Sequence, residues 1–389
     1  MLEHLEARQE EMKGLLVRLA ETESPTRDPT AQGPVLDILE DELRSADMTT
    51  LRLSGLETGG HLFARPVERR RGRPFQLLLG HSDTVWASGT LDTMPVRSDG
   101  DRLRGPGVFD MKGGLVQMIY ALHALKELDL EPPVTPVVFI NSDEEQGSPE
   151  SFRHIDRLAR RACRALVLEP ALGLDGRLKT ARKGVGRFVV RVLGRSAHGG
   201  LEPEVGASAI LELSHVIQMM YELADPERGI TVNVGEIAGG TAANVVAAES
   251  RAVIDVRVPD EEAAREVERA IQGVEAVTPG TRLEIEGRVG RAPMERTPRN
   301  QALWHMAERL AAELDLDVDE GTSGGASDGN IASRHTATLD GLGPVGDGAH
   351  ALHEFIHLDS MPERTALLTL LLLAPPQEEP GESPDRGAA

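Results

Sequence analysis

The fold of this chain is indicated most clearly by one run of residues, FQLLLGHSDT at positions 75–84. Its first half is apolar except for Gln76 and has the length of a strand, which is typical of a strand buried on both faces of a sheet. Its second half turns polar and carries His81 and Asp83 directly after the apolar stretch. Because ligands of open α/β sheets bind at the carboxyl ends of the strands, this run predicts a functional loop at a sheet edge.

The segments around this run predict an α/β sheet. An amphipathic stretch over 112–128 predicts the helix that crosses over from the first strand, and apolar runs at 137–140 and 165–168 predict two more strands. Strands that alternate with helices favour a sheet with many parallel strands. Upstream, the apolar spacing predicts one helix over 5–19 and another that follows Pro34.

The pattern changes near Arg182, where a β-α-β-β-α-β succession begins. Such a unit is ferredoxin-like. The α/β pattern returns after Arg291, so we expect one α/β domain interrupted by a smaller inserted domain. The expected divisions are 1–181 and 292–374 for the α/β domain, 182–291 for the inserted domain, and 375–389 for a tail rich in Pro, Glu and Gly that is predicted to be disordered. The predicted elements of the inserted domain are strands at 188–193, 230–237, 252–258 and 282–286 and helices at 205–223 and 260–272.

The composition excludes several classes of protein. The 389 residues exceed what one core usually holds, which favours two domains. The 42 basic and 63 acidic residues give a net charge of −21, which repels a phosphate backbone and argues against nucleic acid as a partner. The first residues lack the pattern of a secretory signal and no stretch has the length and apolarity of a membrane span, so a cytoplasmic protein without membrane contact is expected. The single cysteine, Cys163, is expected to be a packed thiol.

Carboxylates and imidazoles follow the predicted strands. The run HSD at 81–83 follows the first strand, NSDEE at 141–145 follows the second, and Glu169 ends the third, while Asp110 stands just before the crossover helix. In an open α/β sheet these positions converge on one rim. Their negative charges would repel one another unless cations neutralise them, so the pattern predicts a metal site.

The donor types indicate what that metal site could do. One nitrogen with carboxylate oxygens suits zinc, and His350 could supply a nitrogen for a second ion. Two metals that share a carboxylate can hold a hydroxide and polarise a carbonyl oxygen, which is the chemistry of amide hydrolysis. Of the neighbours Glu144 and Glu145, one can bind metal while the other moves a proton between water and the leaving nitrogen. Asp83 can accept the second imidazole N–H of His81 and fix its tautomer.

These motifs and their order resemble the dinuclear zinc family of aminoacylases, succinyl-diaminopimelate desuccinylases and glutamate carboxypeptidases, and most of all its bacterial folate-hydrolysing carboxypeptidases. The resemblance extends from about Leu15 to about Leu372. It implies a metallopeptidase with two zinc ions per chain, which cobalt or manganese could replace. It also implies that the α/β domain is catalytic and that the ferredoxin-like insertion mediates homodimerisation.

The resemblance also implies roles for individual residues. His81, Asp110 and Glu169 would bind one zinc ion, Asp110, Glu145 and His350 the other, with Asp110 bridging and Glu144 as general base and acid. Glu354 lies four residues after His350, the spacing common in the family, which favours His350 over His353 as the ligand. The family's peptide bond after the bridging aspartate is commonly cis, which makes Asp110-Met111 a candidate for a rare non-proline cis bond.

The inserted domain carries further positions that match the family. The run SAHGGLEPE at 196–204 resembles the segment whose histidine, here His198, reaches the partner subunit's active site and stabilises the tetrahedral oxyanion. Asn244 and Arg291 match substrate contacts, and the planar fork of an arginine suits a C-terminal carboxylate. The reaction that this implies is hydrolysis of the amide bond to a C-terminal, glutamate-like amino acid of a small peptide.

Two alternatives stay open. The same metal centre could hydrolyse an N-acyl amino acid or a dipeptide, because a fold does not settle the substrate. An inactive paralogue that only binds a peptide would have lost ligands, whereas every proposed metal position holds a residue able to bind zinc.

Overall fold

The computed structural model describes residues 1–68 and 72–376 and divides the chain into two compact units. The first unit comprises residues 1–180, 296–322 and the chain from 327 onward, and the second comprises 181–295 and 323–326. The second unit thus includes residues 292–295 and 323–326, which the sequence analysis assigns to the α/β domain. The predicted disordered tail lies outside the described residues from position 377 onward.

The helices are α1 (Leu2–Glu6), α2 (Gln9–Glu21), α3 (Pro29–Ser45), α4 (Gly113–Glu127), α5 (Phe152–Ala159), α6 (Ala209–Glu222), α7 (Glu261–Gln272), α8 (Pro298–Ala312), α9 (Asp328–Ala332) and α10 (Ser360–Leu373). The strands are β1 (Met48–Leu53), β2 (His61–Pro66), β3 (Phe75–His81), β4 (Arg97–Asp99), β5 (Arg102–Arg104), β6 (Thr135–Asn141), β7 (Ala162–Val167), β8 (Leu178–Arg182), β9 (Gly184–Leu193), β10 (Thr231–Gly239), β11 (Glu249–Val258), β12 (Arg282–Arg291), β13 (Glu320–Ser323), β14 (Ala337–Leu339), β15 (Gly346–Asp347) and β16 (Phe355–His357). Within the described ranges, none of these helices combines the length and the apolar character that crossing a membrane requires.

The first unit is built around a six-stranded sheet of order β1-β2-β6-β3-β7-β14. Strands β6, β3, β7 and β14 run parallel, and β1 and β2 form an antiparallel hairpin at one edge. The register pairs His81 with Asn141 and Leu79 with Val167, so β6, β3 and β7 end at nearly the same level. The predicted mostly parallel α/β sheet is confirmed, and the residues that follow these three strands share one rim.

Both faces of this sheet are covered, which explains the largely apolar run in β3. Leu78 packs into the larger core, together with residues of α2, α3, α4 and α10. Leu77 and Leu79 point the other way, into a smaller core with residues of α5 and α9. Neighbouring side chains of a strand alternate between faces, so a strand covered on both sides carries apolar residues towards both cores, as Leu77, Leu78 and Leu79 do.

The start of the chain differs from the sequence prediction. The single helix expected over 5–19 is two helices, α1 and α2, which are separated at residues 7–8. The second predicted helix begins at Pro29 rather than after Pro34, because Asp28 caps it. The Asp28 carboxylate accepts hydrogen bonds from the amides of Thr30 (3.1 Å) and Ala31 (3.2 Å), and Pro29 occupies a first-turn position where no amide hydrogen is needed.

Arg164 on β7 joins the sheet to the end of α10. Its buried guanidinium donates hydrogen bonds to Oε1 of Gln76 (2.8 Å) and to the carbonyl oxygens of Leu371 (2.8 Å), Ala374 (2.7 Å) and Pro375 (2.9 Å). The end of a helix leaves backbone carbonyls without their usual partners, and these bonds supply donors to the carbonyls at the end of α10.

Gly114 allows α4 to pack closely against the end of β7. A Cβ at Gly114 would collide with the carbonyl oxygen of Leu168, which is part of the backbone and cannot turn aside. Gly14 in α2, by contrast, has open space where a Cβ would stand. The close packing of α4 therefore requires glycine at position 114 but not at position 14.

The second unit is the predicted ferredoxin-like fold. Its four antiparallel strands have the order β10-β11-β9-β12, and α6 and α7 contribute to the same apolar core as the strands. Helix α6 begins at Ala209, four residues later than expected, because the Ser208 side chain caps it by accepting a hydrogen bond from the Leu211 amide (3.2 Å).

Glu212 on α6 is a buried carboxylate of the second unit. It accepts hydrogen bonds from the amides of Val277 (3.0 Å) and Thr278 (2.6 Å). Burial by itself would raise the pKa of Glu212, but the bonds from Thr278 and Val277, together with nearby His215, hold that pKa below its usual value. The carboxylate therefore fixes the segment after α7 in its ionised form.

Candidate metal centre

A first group of possible metal ligands lies at the rim of the central sheet. His81 ends β3, Glu169 follows β7 by two residues, and Asp110 lies in a kinked turn over Val108–Lys112 in front of α4. Nε2 of His81 is 3.2 Å from Oδ1 of Asp110 and 3.5 Å from Oε1 of Glu169. The peptide bond between Asp110 and Met111 is cis, as predicted. Three residues far apart in sequence thus place one donor atom each within 4.8 Å of one another.

A second group shares Asp110 with the first. Nε2 of His350 is 3.1 Å from Oε2 of Glu145 and 3.5 Å from Oδ2 of Asp110. Glu145 lies in the helical turn Glu144–Gln146 after β6, and His350 lies in the loop between β15 and β16 with a left-handed φ of 62°. Strand β16 pairs with β5, which precedes the Asp110 turn, so the small sheet β15-β16-β5-β4 brings both segments together. Asp110 consequently offers one carboxylate oxygen to each group.

The electrostatics of both groups favour positive charge. Burial alone would lower the pKa of His81, but hydrogen bonds with Asp110, Asp83 and Glu169 raise it well above its usual value. Hydrogen bonds with Asp110 and Glu145 raise the pKa of His350 to about 10. The carboxylates therefore stabilise a cation at each of these positions.

The donors fit two divalent metal ions. Each group combines one imidazole nitrogen with two carboxylates, a set that binds zinc or similar metals and leaves a coordination position open. In the described part of the chain, the buried Oε1 of Glu145 has no hydrogen-bond partner, and a buried carboxylate oxygen is seldom left unsatisfied. His353, the alternative that the sequence left open, is exposed and belongs to neither group.

Asp83 makes more hydrogen bonds than the sequence predicts, and it approaches His81 through a different atom. The nearest acceptor to Nδ1 of His81 is the backbone oxygen of Asp83 at 2.9 Å, whereas the carboxylate oxygen Oδ1 is 3.4 Å away. A carbonyl can only accept, so the proton is on Nδ1 and Nε2 is available to a metal. The carboxylate instead accepts hydrogen bonds from the amides of Glu144 (3.3 Å) and Glu145 (3.2 Å) and from the hydroxyl of Thr26 (2.8 Å). Asp83 therefore orients the Glu144–Glu145 pair as well as the imidazole.

Comparison with known proteins identifies the family. Residues 77–374 match Peptidase family M20/M25/M40. The chain belongs to this family. It is 28% identical to carboxypeptidase G2 of Pseudomonas sp. over 367 residues, which cover 92% of this chain and 88% of that protein. It is 25% identical to a succinyl-diaminopimelate desuccinylase of Dinoroseobacter shibae over 370 residues, or 88% of this chain and 93% of that protein.

A solved structure shares the fold. The aminopeptidase PepT of Bacillus cereus has a TM-score of 0.79 and 20% identity, with 94% of this chain and 98% of that chain covered. The family and the two ligand groups together make this M20 chain a metal-dependent hydrolase of the peptidase and amidohydrolase type.

The remaining predicted site residues of the M20 chain lie in its second unit. Nδ1 of His198 accepts hydrogen bonds from the amides of Gly200 and Leu201, both at 3.2 Å, so in the neutral ring the proton is on Nε2. The Gly199 amide donates to the carbonyl oxygen of Asn244 at 2.8 Å, which places the two exposed segments side by side. Arg291 ends β12, where it lies opposite Val185 of β9.

Lys112 is a buried lysine, two residues after Asp110, to which the sequence analysis assigns no role. Its buried Nζ donates hydrogen bonds to the carbonyl oxygens of Leu19 and Thr22, both at 2.9 Å, at the end of α2. Burial lowers the pKa of Lys112 to about 8. The lysine therefore fixes the turn that carries Asp110 against α2.

Proposed function

We propose that this chain is a zinc-dependent carboxypeptidase that hydrolyses the amide bond to a C-terminal, glutamate-like residue of a small peptide. The observation that carries the proposal is Asp110, whose two carboxylate oxygens face one candidate ligand group each. The similarity to carboxypeptidase G2 over 92% of the chain supports cleavage at a carboxyl terminus. One zinc ion is assigned to His81, Asp110 and Glu169, and the other to Asp110, Glu145 and His350.

The residues of the chain divide the chemistry among them. When bound, the two zinc ions lower the pKa of a water molecule and polarise the carbonyl group of the substrate. Glu144 acts as the general base that takes the proton from this water and delivers it to the leaving nitrogen. Asp83 holds the backbone amides of Glu144 and Glu145 and so keeps the base in a fixed orientation next to a ligand.

The second unit supplies substrate recognition in this proposal. His198 donates its Nε2–H to the oxyanion, because its other ring nitrogen is occupied by backbone amides. Arg291 binds the terminal carboxylate through its planar fork, and Asn244 contacts the substrate. The protein acts as a homodimer in which the His198 side chain of each subunit serves the active site of the other.

A second candidate is hydrolysis of N-acyl amino acids or dipeptides. The similarity to succinyl-diaminopimelate desuccinylase over 88% of the chain favours it, because that protein's name describes removal of an acyl group. The two candidates share the metal centre and differ only in the pocket that receives the substrate.

One experiment tests the proposal and separates the two candidates. Elemental analysis of the purified chain is combined with a panel of peptidyl and N-acyl amino acids, with and without a chelator. About two zinc ions per chain with chelator-sensitive release of glutamate or aspartate support the carboxypeptidase. Preference for substrates with short acyl groups moves the assignment to an aminoacylase. Cobalt or manganese found in place of zinc changes the proposed identity of the metal but not the reaction. Absence of both metal and turnover refutes both candidates.

The proposed sharing of His198 is tested by mixing inactive chains. His198→Ala and Glu144→Ala chains are each expected to be inactive as homodimers. A heterodimer has one site that combines an intact Glu144 with an intact His198, so mixing should restore up to about a quarter to a half of the parent activity. No recovery in a mixture that forms heterodimers contradicts sharing between subunits.

A further inference from the structure

A buried carboxylate outside the two ligand groups connects the segments that carry them. Glu354 is fully buried and lies four residues after His350. Its Oε1 accepts hydrogen bonds from the amides of Phe109 (2.9 Å) and Asp110 (3.1 Å), and its Oε2 accepts from the amide of Gly107 (3.0 Å) and from Nε1 of Trp86 (2.9 Å).

These four bonds reach three different ligand-bearing segments. Trp86 belongs to the loop that follows His81, the three amides belong to the turn that carries Asp110 and to Gly107 directly before it, and Glu354 itself follows His350. One of the three amides is that of Asp110, so the bond acts directly on the backbone of the residue shared by the two groups. A role in filling the core does not by itself account for hydrogen bonds to these particular segments.

Only a carboxylate suits this position. Glutamate has two oxygens that both accept and neither donates when it is ionised, and four donors converge on them. Glutamine would direct an NH₂ group at two N–H donors, and at each of these a buried bond would be lost. Aspartate would keep the charge but, being one methylene shorter, could not reach all four donors.

We propose that Glu354 is a positioning residue of the metal centre, which sets the separation between Asp110 and His350 and thereby the affinity for the two metal ions. The inference rests on the proposed function, because it takes these residues to be ligands. Residues that orient metal ligands are typically worth about 10- to 100-fold in metal affinity. The four hydrogen bonds of Glu354 go to Trp86 and to backbone amides, so its effect on the ligands passes through the backbone of the Asp110 turn.

Zinc affinity of the full chain, measured by competition with a chromogenic chelator, tests the proposal. Glu354→Gln and Glu354→Asp are both expected to bind zinc about 10- to 100-fold more weakly than the parent, and the aspartate variant shows that the negative charge alone is insufficient. Trp86→Phe removes one donor and leaves the carboxylate, so a measurable loss of zinc affinity of up to about tenfold is expected, and an unchanged affinity would contradict the proposal. This variant keeps the proposal testable if the Glu354 variants do not fold.

Glu212→Gln is the matched control. Glu212 is also buried and also accepts hydrogen bonds from two backbone amides, but it and these two partners belong to the second unit, whereas the predicted ligands belong to the first. This variant should lose thermal stability and keep the parent's zinc affinity. If folded Glu354 variants bind both zinc ions as tightly as the parent, or if Glu212→Gln weakens zinc binding equally, the positioning role is refuted. A parent chain that binds no metal refutes the proposed function itself, which distinguishes the two failures.

Discussion

Replacing His350 with alanine should remove one metal ion and leave the other. The second ligand group has three protein donors, and without His350 only two carboxylates remain, one of which is shared with the first group. Catalytic zinc sites usually need three protein ligands, so the metal content should fall from about two ions per chain to about one. Loss of one Lewis acid of a pair removes about 3–4 kcal/mol of transition-state stabilisation, which lowers kcat/KM by roughly 10²- to 10³-fold.

The assay is elemental analysis after dialysis against metal-free buffer, with kinetics on the same samples. His353→Ala is the matched control, because His353 is an exposed histidine three residues away in the same segment. It should retain about two ions and the parent kcat/KM. If His350→Ala retains two ions, or if His353→Ala is the variant that loses one, the assignment of the second ligand group is wrong.

Three further predictions concern stability. Arg164→Met should lower the free energy of unfolding by about 2–4 kcal/mol, because buried acceptors such as Oε1 of Gln76 and the carbonyl oxygen of Ala374 lose the hydrogen bonds of its guanidinium. Met in place of the exposed Arg160 should cost less than about 1 kcal/mol; urea unfolding compares the two variants, and equal losses would contradict the prediction. Glu212→Gln should make the free energy of unfolding fall less steeply at acid pH. The folded state holds the pKa of Glu212 below its usual value, so the stabilisation by its carboxylate is complete at neutral pH and is lost as the pH falls through the unfolded pKa of about 4.5 towards the folded one. Parallel curves of unfolding free energy for variant and parent between pH 3 and about 7 would refute this. Gly14→Ala should raise the free energy of unfolding by about 0.5–1 kcal/mol, whereas Gly114→Ala should lower it by about 1–3 kcal/mol because the new Cβ would collide with the backbone carbonyl of Leu168. Thermal unfolding of both variants tests this, and a Gly114→Ala variant that is more stable than the parent would show that α4 can move away from Leu168.

Much of the fold can be predicted because the decisive signals are local. The apolar run of β3 indicates a strand covered on both faces, and the polar residues that follow it indicate the rim of a parallel sheet. Since neighbouring parallel strands end at one level, the order of residues along the chain is enough to predict that His81 and Glu169 meet. The start of α3 differs from the expected position although its signal is also local, because Asp28 followed by Pro29 is a helix-start pattern.

The parts of the site that could not be predicted depend on backbone atoms and on distant partners. The acceptor nearest to Nδ1 of His81 is a carbonyl oxygen, and side-chain types alone do not reveal backbone acceptors. Glu354 bonds to the Gly107 amide across 247 positions of the chain, and no local pattern encodes such a pair. The break between α1 and α2 likewise interrupts a continuous apolar stripe, so periodicity alone predicts one helix.

The order in which the predicted ligands occur along the chain has a consequence for biosynthesis. The first group is complete once residue 169 has been translated, but the second requires His350, which lies beyond the whole inserted unit. At about 5–20 residues per second, a ribosome needs roughly 10–35 s to cover that interval. On the proposed ligand assignment, a nascent chain therefore displays a single mononuclear binding group well before it can hold a pair of ions, and dinuclear hydrolysis cannot precede the translation of His350. A growing polypeptide with this ligand assignment cannot hydrolyse peptides until its whole second unit has been translated.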